Sequence, residues 1–300
     1  MNTTSFNIPD EGTPLNPLLS KRTYLYAEKD NQRLKMDIIS RSDLSNDTPV
    51  ILFLFGGGFT HGERNRAVYN FYFNRMAEEG FIIASIDYRL GLKDHPDVSA
   101  QNITPLEKAI DIAREDLFDA TSYILKNATT LHIDTKTIIL SGSSAGALVV
   151  LSADWHKRNP NKYPTNLPQE FQYAGVISFS GALFSTTGLP KYEIDPAPTM
   201  MFHGTEDHVV IYKGMRLSTY LLLGSRHLAD LFTLENYPFY LKRYEGMGHE
   251  ISKLAMREDL DSIVWFIRNC IINKKNYKID IAFNDLNREK RQLLSVEEHL

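Results

Sequence analysis

The chain has 300 residues, 43% hydrophobic and 23% charged, with a formal net charge of -4. That length suits one large α/β domain or two smaller ones, with enough apolar residues for a sizeable core. A mildly acidic chain without a basic stripe gives no electrostatic case for a nucleic-acid or anionic-membrane partner, and the single Cys270 has no internal disulfide partner.

Residues 1–20, rich in Pro and Asn, read as an extended arm. No basic segment followed by an apolar stretch is present in them, so no secretory signal is read. No apolar run approaches membrane-spanning length. The expected location is cytoplasmic as the sequence stands, or secreted or periplasmic if a signal has been removed.

TYLYAEKDNQRLKMDIIS (23–40) predicts two strands around the turn Lys29-Asp30-Asn31. VILFLFGGG (50–58) is an apolar strand running into glycines, the pattern of a strand buried on both faces. NFYFNRMAEEG (70–80) predicts a helix with a glycine stop, and FIIASIDYRLG (81–91) another buried strand. A long helix follows from about Pro105 to Asn127, with Thr104 and Glu107 at capping-box spacing and Pro105 at the first helical position. TIIL (137–140) reads as a strand, and Ala145 to Trp155 as a helix. Later strands are YAGVISFSG (173–181), TMMFHG (199–204) and YPFYLKRYEG (237–246), before a helix from about Ile251 to Ile271. This alternation predicts an α/β fold over 21–300 as a single domain: a doubly wound, mainly parallel sheet with helices on both faces, led by an antiparallel hairpin. Segments 182–197 and 224–236 fall between sheet elements and read as cap or loop insertions.

IILSGSSAGALVV (138–150) places three serines within four positions, between a strand and a helix. A nucleophile elbow holds a serine on such a turn, and neighbouring chain passes so close that the positions two before and two after must be glycine or nearly so. Ser144 has Gly142 and Gly146 there; Ser143 has Ser141 and Ala145, and Ser141 has Ile139 and Ser143. Only Ser144 fits.

A serine hydroxyl needs a base to take its proton. In a doubly wound sheet the partners should follow strands directly, because the site lies beyond the strands' carboxyl ends. Of the nine histidines, His249 in YEGMGHE follows the last predicted strand and precedes the final helix. His203 sits at a strand end, where packing explains it as well as function does, and His208 flanks the acidic pair. His61, His95, His132, His156, His227 and His299 read as solvated. HGTEDHVV (203–210) supplies Glu206 and Asp207 to orient the base, and consecutive side chains diverge, so one of the two reaches the imidazole. Asp207 is the choice, giving the order Ser144, Asp207, His249. An oxyanion hole needs backbone N–H groups. Ala145 supplies one, and the loop FGGGF (55–59) is placed to supply others. No Gly-Lys-Ser/Thr and no Gly-x-Gly-x-x-Gly follows that loop, which argues against a nucleotide site.

Together FGGGF, DYRLG (87–91), GSSAG (142–146), HGTEDHVV and GMGHE resemble the α/β-hydrolase superfamily, specifically the carboxylesterase and hormone-sensitive-lipase-like esterases. The resemblance covers nearly the whole chain after residue 20. It implies the α/β-hydrolase fold, a catalytic triad of Ser144, Asp207 and His249, an oxyanion hole from Gly57, Gly58 and Ala145, and no cofactor or metal. Two positions depart from the usual pattern. Phe55 stands where a histidine generally supports the glycine loop, and Ser143 where the residue before the nucleophile is often acidic. The implied activity is that of a serine esterase working through an acyl-enzyme on a small-molecule or saccharide ester. A short acyl chain is expected, because 182–197 offers no amphipathic lid helix. A prolyl-peptidase type of serine peptidase is the alternative within the fold, disfavoured by the glycine triplet and the lack of a large additional domain. A catalytically inactive binding protein is the other, disfavoured because all three triad residues are retained. Oligomeric state is not legible.

Overall fold

The computed structural model describes residues 12–44, 46–93, 102–217 and 220–285. Residues 1–11 of the expected arm, His95 and His299 lie outside them. Strands β1 (Leu19–Lys29) and β2 (Gln32–Arg41) form the expected hairpin. Asp30 and Asn31 close it at φ 49° and 60°, a turn whose twist matches that of the strands. There follow β3 (Thr48–Leu54), β4 (Ile82–Ile86), β5 (Ile133–Ser143), β6 (Gly175–Phe179), β7 (Ala182–Ser185), β8 (Thr199–Gly204), β9 (Gly214–Leu217), β10 (Tyr220–Gly224), β11 (Phe239–Tyr244) and β12 (Lys278–Phe283). Nine of these make one sheet in the order β1-β2-β4-β3-β5-β6-β8-β11-β12, antiparallel as far as β4 and parallel beyond it. The helices are α1 (Asn70–Glu78), α2 (Thr104–Leu131), α3 (Ala145–Lys157), α4 (Ser225–Leu234), α5 (Ile251–Glu258) and α6 (Leu260–Phe266). α2 packs on α3, and α1 packs on α5 and α6. With helices over both faces, central strands such as Ile82–Ile86 are buried at every residue, which is why they read as continuous apolar runs rather than alternating ones.

Strand order fixes where a site can lie. The chain leaves β3 to build β4 on one side, then crosses back to build β5 on the other. The loop after β3 and the turn after β5 therefore diverge and open a crevice at the carboxyl ends of the strands, the topological switch point of such sheets.

Several expected elements differ. The strand foreseen over 81–91 stops at Ile86; beyond it the Asp87 carboxylate accepts from Arg64, the Tyr88 hydroxyl donates to Phe55 O and Arg89 donates to Asp116. Helix α2 extends to Leu131, where His132 caps it in a left-handed conformation. Its start lacks the expected capping box: the N-cap is Ile103, with Thr104 and Pro105 already inside the first turn and no side-chain cap bond. The helix foreseen over 251–271 is broken at Asp259, which leaves helical geometry (φ -109°, ψ 22°), and it ends as a π-helical segment, Ile267–Ile272. The buried Asp259 carboxylate accepts hydrogen bonds from Lys242 and Tyr244 on β11, which holds the break against the sheet. Segment 224–236 carries α4, which buries Leu228, Ala229 and Phe232 and packs against β8 and β11. In 182–197, β7 joins β10 and β9 in a separate three-stranded antiparallel sheet. β12 was not foreseen, although KIDIAF alternates with period two. The described part of the arm, 12–18, runs without regular structure along α1, where Asn70 and Asn74 side-chain amides donate to the carbonyls of Thr13 and Pro14.

One buried ion pair ties the hairpin, the segment after β4 and α2 together. Arg89 donates from its backbone N–H and its Nε to the fully buried Asp116, and its remaining nitrogens reach Asp30 in the hairpin turn and Glu115. Removing one partner of a buried pair leaves the other charge uncompensated. Asp116→Ala is therefore expected to lower the unfolding free energy by about 3 kcal/mol, at the low end for such pairs because Asp30 and Glu115 remain. Urea unfolding reads this directly.

Candidate active site

Ser144 sits at φ 51° and ψ -117° between β5 and α3, a conformation rare for any residue with a side chain. The glycines around it are required by space. A Cβ on Gly142 would lie 2.4 Å from the carbonyl oxygen of Gly146, and one on Gly146 would lie 2.3 Å from that of Leu54 on β3. The backbone is held from both sides: Ser144 N–H donates to Phe179 O at 2.8 Å, and Ala147 and Leu148 N–H groups donate to Ser144 O. The other two serines are buried and engaged elsewhere. Ser141 Oγ pairs with the Tyr72 hydroxyl at 3.1 Å, and Ser143 Oγ donates to Ser252 O at 2.8 Å.

The structure brings Ser144, His249 and Asp207 together. His249 Nε2 lies 2.8 Å from Ser144 Oγ, and His249 Nδ1 lies 2.8 Å from Asp207 Oδ2. Because β8 and β11 are parallel neighbours, the turns that follow them emerge side by side. Two backbone bonds lash them together, Thr205 N–H to Tyr244 O at 3.0 Å and Glu206 N–H to Met247 O at 2.9 Å. A Cβ on Gly204 would meet Gly248 O at 2.3 Å, so that approach also depends on glycine. The turn buries Asp207 and leaves Glu206 exposed, which separates the two adjacent carboxylates.

Asp207 is heavily donated to. Its Oδ1 accepts the N–H groups of Val209 and Val210, each at 2.9 Å. Its Oδ2 faces His249, with His203 Nε2 3.4 Å away. Burial by itself would raise the carboxyl's pKa, but hydrogen bonds from His203 and His249 outweigh it and hold the group well below the usual carboxylate range. His203, at a strand end where packing and function explain it equally from sequence, is the second imidazole on this carboxylate. Its Nε2 lies 2.8 Å from Val210 O, which only accepts, so Nε2 carries a proton, and its Nδ1 pairs with the Ser225 hydroxyl at 2.7 Å. The four-residue spacing in HGTED was the available signal.

The glycine loop lies beside the elbow: a Cβ on Gly56 would sit 3.1 Å from Ser144 Cβ. Gly57 (φ +136°) and Gly58 (φ +61°) follow in conformations that suit glycine. Among the described residues, the N–H groups of Gly57, Gly58 and Ala145 donate no backbone hydrogen bond, as an oxyanion hole requires. Phe55, the departure from the usual histidine, is buried and stacks on Tyr88 with ring centroids 4.4 Å apart. His156, expected to be solvated, is stacked on Tyr163, and burial pushes its pKa down to about 2. Among the described residues no cluster of three or more His, Cys, Asp or Glu is placed to hold a metal, and no helix is long and apolar enough to cross a membrane.

A doubly wound sheet that carries a serine on a strained strand-to-helix turn, with an acid and a histidine after later strands, defines the α/β-hydrolase fold. Solved structures agree on that fold. Esterase 2 from the Planctomycetes species Thermogutta terrifontis, in a butyrate-bound form, superposes with a TM-score of 0.62 at 22% identity, over 84% of this chain and 94% of that one. Its native form gives a TM-score of 0.62 at 22% identity, over 84% and 92%. Within the fold, the BD-FAE family model matches residues 36–187, just over half of the chain, and the chain belongs to that family. Among curated relatives, Esterase B1 of Culex pipiens is 29% identical over 39% of this chain and 21% of its own length. Esterase LipC of Mycobacterium tuberculosis is 26% identical over 54% and 37%. The chain thus spans between 17% and 37% of the length of the curated relatives it matches.

Two outcomes follow from this geometry. Gly146→Ala is expected to lose about 2 kcal/mol or more of stability, since a β3 carbonyl must shift to admit the methyl group, and urea unfolding measures it. Asp207 has a folded pKa below its unfolded one, so its stabilising contribution is present above the unfolded value and is lost as pH falls through the folded one. Wild-type unfolding free energy should therefore fall more steeply below the ordinary aspartate value of 3.8 than that of Asp207→Asn, as read from urea titrations at successive pH values.

Proposed function

We propose that the chain is a serine esterase that hydrolyses carboxylic esters through an acyl-enzyme. The observation that carries this reading is the unbroken run of hydrogen bonds from Ser144 Oγ through His249 to Asp207, each at 2.8 Å, with the serine on the strained elbow. His249 takes the hydroxyl proton as Ser144 Oγ attacks the ester carbonyl carbon. Asp207 holds the Nδ1–H tautomer and balances the imidazolium that forms. The N–H groups of Gly57, Gly58 and Ala145 receive the negative charge on the carbonyl oxygen. Collapse of the intermediate expels the alcohol, protonated by His249, and leaves the acyl group on Ser144. A water deprotonated by the same imidazole then releases the acid.

Esterases among the curated relatives support this chemistry. The substrate we infer is a short-chain acyl or acetyl ester of a small molecule or a saccharide. The segment 182–197 carries a short strand and irregular chain rather than a lid helix. Thermogutta esterase 2, alike in fold, has been solved with butyrate and with propionate bound, so acyl groups of that length are the ones to test first.

Ser144→Ala is expected to lose turnover of nitrophenyl acetate by about ten-thousand-fold and to resist fluorophosphonate labelling, while Ser141→Ala and Ser143→Ala stay within about tenfold of wild type. Labelling of Ser144→Ala at the wild-type rate sinks the assignment. Asp207→Asn should lower kcat by about a thousandfold or more with the fold intact, and Glu206→Gln by little; the reverse ranking refutes the choice of acid. Across nitrophenyl esters of increasing acyl length, kcat/KM should peak between acetyl and butyryl. A maximum among long chains, or a jump in rate when the substrate forms an emulsion, overturns the short-chain reading.

A further inference from the structure

The peptide unit that joins Phe55 to Gly56 is gripped at both ends. Its carbonyl accepts a hydrogen bond from the Tyr88 hydroxyl at 2.8 Å, and its N–H donates to the Tyr69 hydroxyl at 3.2 Å. The two tyrosines come from separate parts of the chain. Tyr69 closes a single 3-10 turn ahead of α1, and Tyr88 follows β4. They are 1% and 3% exposed. Their rings are fixed by packing: Tyr88 stacks on Phe55, and Tyr69 lies 4.9 Å from the Phe53 ring. Burial raises the Tyr88 pKa well above its usual value, so this phenol stays protonated and remains a donor.

The gripped unit ends at Gly56, the residue before the two glycines whose amides the esterase reading assigns to the oxyanion. Gly57 and Gly58 have no side chains by which packing can hold them, so the direction of their N–H groups depends on how the chain reaches them through Gly56, whose own orientation is set by the gripped unit. A peptide unit is planar and stiff, so fixing its two polar ends fixes its rotation about the chain. Gly56 itself is pressed against the elbow, where an added Cβ would lie 3.0 Å from Ser143 O. The departure at position 55 acquires a purpose, since the phenyl ring is the surface on which Tyr88 lies.

We propose that Tyr69 and Tyr88 are positioning residues that aim the Gly57 and Gly58 amides at the oxyanion by clamping the Phe55–Gly56 peptide unit. The inference rests on the esterase reading above. Neither hydroxyl acts on the substrate; both act through one backbone plane. Loss of either grip frees the plane, so the loss of both adds little to the loss of one.

The test uses the full chain with Tyr69→Phe, Tyr88→Phe and the double variant, each removing only oxygen. Tyr72→Phe serves as control, because Tyr72 is as deeply buried but bonds to Ser141 Oγ rather than to the loop. With nitrophenyl acetate, each loop variant should lose about tenfold or more in kcat while KM stays within about twofold. Affinity for a trifluoromethyl ketone, which forms an oxyanion adduct with serine hydrolases, should fall by the same factor. The double variant should fall by much less than the product of the singles. Tyr72→Phe should lose comparable thermal stability and keep its kcat. If the loop variants match Tyr72→Phe in kcat, or lose kcat without losing ketone affinity, the clamp is overturned while the esterase reading stands. If the wild-type protein neither turns over esters nor reacts with fluorophosphonate, the esterase reading falls and the clamp falls with it. Two single variants at separate places in the fold give independent readouts if one of them folds poorly.

Discussion

The conformation of Ser144 is the constraint on which the rest of the site depends. A residue with a side chain held at φ 51° and ψ -117° stores about 1–3 kcal/mol of strain, and it persists only where its surroundings over-determine it. Here it follows the central strand β5, which is paired on both sides, with β3 and with β6. Phe179 at the end of β6 takes the serine's N–H, and Leu54 at the end of β3 presses on Gly146. The strain is offset by strand pairing on both sides, and the hydroxyl is delivered into the crevice that the reversal of strand order opens.

The partners reach that hydroxyl by a different device. Sequence separation between Ser144 and His249 is large, but β5, β6, β8 and β11 lie in succession across the sheet, and each contributes a turn on the same edge. The two outer turns are bonded to each other before either reaches the serine, so Asp207 and His249 arrive as one unit. Asp207 satisfies its buried charge with two backbone N–H groups and two imidazoles. A buried carboxylate so fully donated to is rigid, and rigidity in the acid is what keeps the histidine ring aimed. On the other side of the crevice, the buried Tyr88 and Tyr69 hydroxyls bond to the Phe55–Gly56 peptide unit at the start of the glycine loop.

Much of this was legible in the sequence, and the reason is local sterics. Gly142 and Gly146 singled out Ser144 from three serines because close backbone approach leaves no alternative at those positions. The buried strands announced themselves as unbroken apolar runs because both of their faces are covered. The order of the serine, the acid and the histidine followed from placing each after a strand. These are properties of a few neighbouring residues, and the chain carries them wherever it goes.

Tertiary structure decided the rest. Thr104 and Glu107 have capping-box spacing, yet α2 begins a residue earlier, because spacing permits a cap but does not compel one. The period of 251–271 is helical throughout, and the break at Asp259 arises from bonds to Lys242 and Tyr244 on a strand distant in sequence. β12 finds its place only when β11 offers an edge to pair with. That Asp207 turns inward and Glu206 outward depends on the lashing between the turns after β8 and β11, which no neighbouring residue encodes. The same holds for Tyr69 and Tyr88, whose meeting on one peptide unit is visible only when α1 and β4 are packed. The sequence by itself determined which residue can occupy the strained turn, since that is a matter of volume at fixed offsets along the chain. Only the folded chain decided which side chains surround it, since those contacts join residues whose approach depends on the whole sheet.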